Sequence, residues 1–279
     1  MKMKLCNIYS NGCVHLAYEA GGKILDLTAA GFEFPMEAVI SGEALPAVSE
    51  AIEAGKGIPV DAPEFANVVS KIGSIVCVGL NYKAHTEGIN MKLPEYPVLF
   101  SKFSNALVPA DAKVELPPWE NSYDYEAELV IVIGKSAWGV SEEDAGDYIF
   151  GYTAGNDFSC RDPQMRSGQW LIGKTMPGFG PCGPFIVTAD GYDPEAGKRI
   201  RSFVNSELRQ DGSTADMIFN CRKIVSYTSH YIRLEPGDLI FTGTPSGVAL
   251  EGSEKKWLVP GDRVDVEIEG IGTLTNYMK

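Results

Sequence analysis

Apolar positions in this chain fall mostly in short runs bounded by turn residues, with few helical stripes. The run Leu129-Val130-Ile131-Val132-Ile133 is rich in β-branched residues and stops at Gly134, so it reads as a buried strand. Residues 75–80 and 97–100 give two more strands. The turns Pro236-Gly237-Asp238 and Pro260-Gly261-Asp262 each introduce another, at 239–242 and 263–268. Near the start, apolar runs at 6–9 and 14–18 flank Ser10-Asn11-Gly12, and Asn-Gly in that position predicts a hairpin. Residues 23–27 supply a third strand. Helical patterning is confined to about 47–54, a capping-box-like start at Ser141-Glu142-Glu143-Asp144, and a stripe of Ile224, Tyr227, Tyr231 and Leu234 within 220–234. With 57–63 read as a linker, the pattern predicts a β-rich α+β protein. A small N-terminal α+β domain spans 1–70 and a larger domain 71–279.

Two carboxylates open the most apolar of these strands. Residues i and i+2 of a strand project to one side, roughly 6.6 Å apart, so Glu126 and Glu128 share a face with Val130 and Val132. Anions running into a buried face repel each other and resist desolvation unless a cation or proton joins them. A hard divalent metal and a solvated strand mouth both account for the pair, the latter slightly better. Asp157 ends a strand-like stretch of small residues, 151–157. By itself it reads as a turn residue, and together with Glu126 and Glu128 it makes an oxygen-only set suited to Mg²⁺ or Mn²⁺. Arg161 and Lys174 follow as nearby cations.

Composition narrows the class. Of 279 residues 44% are hydrophobic and 22% charged, ordinary for a globular enzyme, and the net charge of −13 disfavours nucleic acid and anionic membranes as partners. The same field repels acidic ligands, so an acidic substrate needs a local cation. No signal-peptide pattern or spanning segment is evident. Six cysteines without CxxC spacing suit reduced thiols, and a cytoplasmic protein is expected. Among three histidines, His15 and His230 fall in a strand and a helix and are assigned to structure. His85 follows a strand in a polar loop, where it reads equally as a surface residue or as a base oriented by Glu87.

Several motifs occur in order: Gly79-Leu80-Asn81-Tyr82-x-x-His85, Glu126-x-Glu128, Asn156-Asp157-x-Ser159-x-Arg161-Asp162-x-Gln164, and Gln169-Trp170-x-x-Gly173-Lys174. Asn205-x-Glu207-x-Arg209-Gln210-Asp211 and Gly237-Asp238-x-Ile240-x-Thr242-Gly243-Thr244-Pro245-x-Gly247-Val248 follow. The ordered set, over about 75–248, resembles the fumarylacetoacetate hydrolase family. That resemblance implies a mixed β-sandwich roll catalytic domain, a divalent metal (Mg²⁺ or Mn²⁺) on Glu126, Glu128 and Asp157, and a homodimer. It implies action on 2-oxo acids: hydrolysis of acylpyruvates, decarboxylation of oxaloacetate, or isomerisation and hydration of muconate-pathway intermediates. By position Lys174 is catalytic, Arg161 and Gln164 bind substrate, and Thr244 contacts a carboxylate.

Two departures bear on the reaction. Hydrolytic members usually place a glutamate three residues after the histidine, where this chain has Gly88; Glu87 stands one position early, about 100° away on a helix. After Lys174, Thr175-Met176-Pro177 replaces a stretch that usually bears an aspartate. The expectation is C–C hydrolysis of an acylpyruvate or fumarylpyruvate-like acid through an enolate, with His85 activating water. The altered dyad favours the alternative, an oxaloacetate decarboxylase or a 5-carboxymethyl-2-hydroxymuconate-type isomerase at the same metal site. The polar segment 88–96 reads as a lid or as an ordinary exposed connection.

Overall fold

A computed structural model describes residues 2–279. Its spine is a mixed sheet of twelve strands. Over half of it the order is Gly180–Thr188, Ile149–Asn156, Ala127–Ile133, Leu239–Phe241, Ile75–Gly79 and Val98–Lys102. A second sheet of five strands, including Arg199–Val204, Arg263–Ile268 and Gly272–Met278, packs on one side.

The Ala127–Ile133 strand is buried along its whole length because both faces are covered. Leu129, Ile131 and Ile133 join a core with Val266, Ile268 and Leu274 of the second sheet and with Ile224 of the Cys221–Ser229 helix. Val130 and Val132 point the other way, into a core with Met36, Val39 and Val48. Those three come from the short helices Met36–Ile40 and Leu45–Glu53. Each such fully buried aliphatic side chain contributes about 2 kcal/mol of burial.

Asn11-Gly12 forms the expected hairpin between Lys4–Ser10 and Cys13–Ala20. Ser10 faces Cys13, and both turn residues have positive φ (52° and 79°). The first 65 residues do not close a sheet of their own: Lys4 and Leu5 pair with Val187 and Ile186, so the N-terminal strands continue the main sheet. The segment expected as a linker contains a strand, Ile58–Val60, at the sheet edge, where Pro59 needs no ladder partner on its outer side. At 141–144 Ser141 and Asp144 exchange the two bonds of a cap, yet only a single 3₁₀ turn, Ala145–Tyr148, follows before the chain enters the strand at Ile149. The helix expected over 220–234 is capped by Asn220, whose side chain accepts from Lys223 N–H, and ends at Ser229; Leu234 instead exchanges backbone bonds with Ala137. Among the described residues no helix is long and apolar enough to cross a membrane. None of the six cysteines is bonded to another, and only Cys13 is exposed.

Candidate active site

Two neighbouring strands bring the carboxylates together. Ala127 faces Asn156 and Glu128 faces Gly155 in antiparallel register, so Glu126 and Asp157 flank the same strand ends. Asn156 accepts from Glu126 N–H at 2.9 Å, and Asp157 N–H donates to the Glu126 carbonyl at 2.9 Å, tying the ends to each other. Gly155 is required here: a Cβ would sit 2.5 Å from Val130 and 2.6 Å from Phe241. Glu126, Glu128 and Asp157 are all buried and offer one oxygen each within 4.8 Å of one another.

Their charges are not equally compensated. Glu126 meets Arg161 at 2.6 Å and Lys174 at 2.7 Å. Asp157 meets Lys174 at 2.9 Å and Lys102 at 2.5 Å. Glu128 accepts only the N–H of Gly243, at 2.7 Å, and among the described residues forms no ion pair. Burial would raise the Glu126 carboxyl, but Arg161, Lys174 and His85 outweigh it and hold Glu126 well below the usual range. Burial pushes Glu128 well above that range, and the neighbouring Asp157 and Glu126 add to the push. Lys174 is drawn down by burial and more strongly up by Asp157 and Glu126, so it stays an ammonium. A buried carboxylate triad with one member lacking a cation fits a hard divalent ion, which would complete the neutralisation.

His85 lies on the short helix Lys83–Gly88, just past the Ile75–Gly79 strand, and is buried. Its Nδ1 is 2.5 Å from Glu251 Oε1. A carboxylate acceptor there places the ring proton on Nδ1 and leaves Nε2 as a base. Glu251 Oε2 in turn accepts from Gly247 N–H at 2.7 Å. Glu87 does not orient His85. It is exposed, one residue off the required helical face, and lies 3.9 Å from Lys83. At position 88 a Cβ would lie 3.0 Å from the Glu251 carboxyl carbon, so Gly88 leaves the room that Glu251 occupies.

Arg161 donates through Nε to Asp124 at 2.8 Å and through a terminal nitrogen to the Gln164 side-chain oxygen at 3.0 Å. Its guanidinium is thereby taken up by the protein, while the Gln164 amide nitrogen stays available to a ligand. Thr244 lines the cavity, but its hydroxyl donates to the Ala127 carbonyl at 2.9 Å and accepts from Gln210 at 2.7 Å. The hydroxyl proton of Thr244 is thereby committed to the protein. Lys174 is set by the Leu171–Lys174 helix, which packs closely because Gly173 has no Cβ to meet the Cys160 carbonyl at 2.5 Å. Thr175, in the altered stretch, accepts from Phe103 N–H at 2.7 Å and points no carboxylate at Lys174. His15 pairs with Asp26 and His230 caps a helix, both structural.

Three further residues escape the sequence reading. Asp124 continues the alternation of Glu126 and Glu128 by one step and binds Arg161 and the backbone N–H groups of Ala249 and Leu250. Lys102 follows Val98 and Phe100 on one strand face, a period-2 signal; its buried ammonium meets Asp157 and the carbonyls of Phe158, Lys174 and Phe179. Glu251, 166 residues from His85, has no local signal. The cavity above the triad holds about 390 Å³ and has apolar walls that include Val78, Leu80, Phe100 and Trp170. Gly88 and the adjoining residues 89–91 of the segment read as a lid or connection also line it.

A family model described as fumarylacetoacetate (FAA) hydrolase C-terminal matches residues 74–279. A Dictyostelium discoideum fumarylacetoacetate hydrolase domain-containing protein 2 homolog is 44% identical over 218 residues, 74% of this chain and 72% of that protein. The Bos taurus mitochondrial oxaloacetate tautomerase FAHD2B is 37% identical over 271 residues, 94% of this chain and 86% of its own. The solved fumarylacetoacetate hydrolase of Exiguobacterium antarcticum superposes with a TM-score of 0.88 at 32% identity, covering 99% of each chain.

Proposed function

The chain belongs to the fumarylacetoacetate hydrolase family, and from that premise we propose that it moves a proton at C3 of a 2-oxo acid. In this reading it interconverts the keto and enol forms of an oxaloacetate-like substrate. The observation that carries it is His85, buried beside the carboxylate triad with Glu251 at 2.5 Å on its Nδ1. Held in that tautomer, Nε2 takes the C3 proton as the enolate forms and returns it as the ketone is regained, a role worth about 10²–10⁴ in rate, while water supplies and receives the proton of the enol oxygen.

Mg²⁺ or Mn²⁺ on Glu126, Glu128 and Asp157 would, when bound, supply a Lewis acid to the 2-oxo oxygen. Lys174 adds a fixed positive charge where the oxyanion develops, without reorganising during the reaction. Gln164, steadied by Arg161, offers its amide N–H groups to the substrate carboxylate. Apolar walls at Phe100 and Trp170 lower the local dielectric and strengthen each of these interactions. A relative named an oxaloacetate tautomerase, alike over nearly the whole chain, supports this reaction over others available to the same site.

Hydrolysis of an acylpyruvate is the second reading, favoured by the same dyad, because Glu251 supplies the carboxylate that a water-activating His85 needs. One experiment separates them. Mg²⁺-loaded protein is given enol oxaloacetate, followed by the loss of enol absorbance, and acetylpyruvate, followed by proton NMR, each against a protein-free blank. Accelerated ketonisation with acetylpyruvate intact supports tautomerisation. Acetate and pyruvate appearing together would transfer the assignment to hydrolysis, and inertness toward both acids would refute the two.

A further inference from the structure

The cations around the cavity differ in what they are free to do. Arg161 is held by Asp124 and Glu126, and Lys174 by Glu126 and Asp157. Lys255 also lines the cavity, is exposed, and among the described residues forms no ion pair; its ammonium donates to the Leu250 carbonyl. It therefore stands at the mouth, on the loop that also carries Glu251, while the triad lies at the buried end. The lining also includes the apolar side chains of Leu80, Phe100 and Leu250. A ligand anchored by its 2-oxo acid head at the triad shares the cavity with one ammonium that no carboxylate of the described residues pairs with.

We propose that Lys255 is a specificity residue that selects 2-oxo acids carrying a second carboxylate. The proposal rests on the 2-oxo acid reading for the position of the head group. The physical need is plain: a protein of net charge −13 repels a dianion, and a cation at the mouth offsets that repulsion where the distal charge arrives. Because Lys255 is solvent-exposed, its effect is modest and screened by salt. A neutral substituent of the same size gains nothing from it.

The test uses binding, so that it does not depend on turnover. Malate and 2-hydroxybutanoate share a 2-hydroxy acid head and differ in a carboxylate against a methyl group. Their affinities for Mg²⁺-loaded protein are measured by calorimetry for the native chain, Lys255→Met and Lys255→Arg. The expected result is a loss of malate affinity of about threefold to fivefold in Lys255→Met at low salt, no change for 2-hydroxybutanoate, and native discrimination in Lys255→Arg. Equal weakening of both ligands, or no change in either, would overturn the assignment. If the native protein also leaves 2-oxo acids unreacted in the ketonisation and NMR assays, the proposed reaction fails while the measured effect of Lys255 on binding stands.

Discussion

His85 and Glu251 meet across 166 residues of sequence, and the space that admits Glu251 is left by Gly88. If Glu251 acts by orienting His85, Glu251→Ala should lower turnover by about 10²-fold with little effect on substrate KM. Adding Gly88→Glu to that variant should recover part of the loss, because the new carboxylate enters the space Glu251 has left. Steady-state rates of the single and double variants check this; a double variant no better than the single would show that Glu251 is not acting as a movable partner. At the triad, burial and the neighbouring Asp157 and Glu126 raise the Glu128 carboxyl. It therefore keeps its proton to higher pH than an exposed glutamate, and a dication has to displace it. Metal binding should release protons and strengthen as pH rises toward that raised value. Titration calorimetry of Mg²⁺ or Mn²⁺ in buffers of differing ionisation enthalpy reads the proton count directly, and zero protons released would contradict the charge assignment.

Elements matter through the close approaches that deliver these side chains. The Val98–Lys102 strand ends in a lysine with no solvent access, whose ammonium joins the Asp157 carboxylate to the carbonyls of Phe158, Lys174 and Phe179. Lys102→Met removes one of the two cations on the buried Asp157 carboxylate and strands three carbonyls, so a loss of about 3–5 kcal/mol is expected from denaturant unfolding of metal-free protein, with a smaller loss when Mg²⁺ is present. Legibility in the sequence followed the range of the interactions. The Asn11-Gly12 hairpin and the Arg263–Ile268 strand are specified by neighbouring residues and could be read from them. The Glu126–Glu128 alternation likewise placed both carboxylates on one face. Glu251 could not be read, because its partner is supplied by the fold alone. The end of the 220–234 helix at Ser229 was also hidden, since Leu234 is drawn to Ala137, nearly a hundred residues away. At Thr244 motif position leads to the cavity, while the partners of its hydroxyl, Ala127 and Gln210, are supplied by the fold.

Over the whole molecule, one sheet runs from the N-terminal hairpin through the strands that carry the triad, and both faces of the Ala127–Ile133 strand are core. A metal bound only by the folded triad should therefore stabilise the entire cooperative unit. At a hundredfold excess over its dissociation constant the gain is about 2.7 kcal/mol, or about 5–10 °C in melting temperature for a chain of this size. Thermal melts with Mg²⁺ and with a chelator measure it, and coincident curves would count against the triad as a metal site. On the proposed function, the triad and His85 together exchange the C3 proton of a 2-oxo acid. Its most direct test is proton NMR of 2-oxobutanoate in D₂O with the Mg²⁺-loaded native chain and with His85→Ala. Rapid loss of the C3 proton signal is expected with the native protein, and a rate lower by about 10²–10⁴ in His85→Ala with Mg²⁺ affinity unchanged. Equal exchange by the two proteins, or none above the protein-free blank with either, would contradict it.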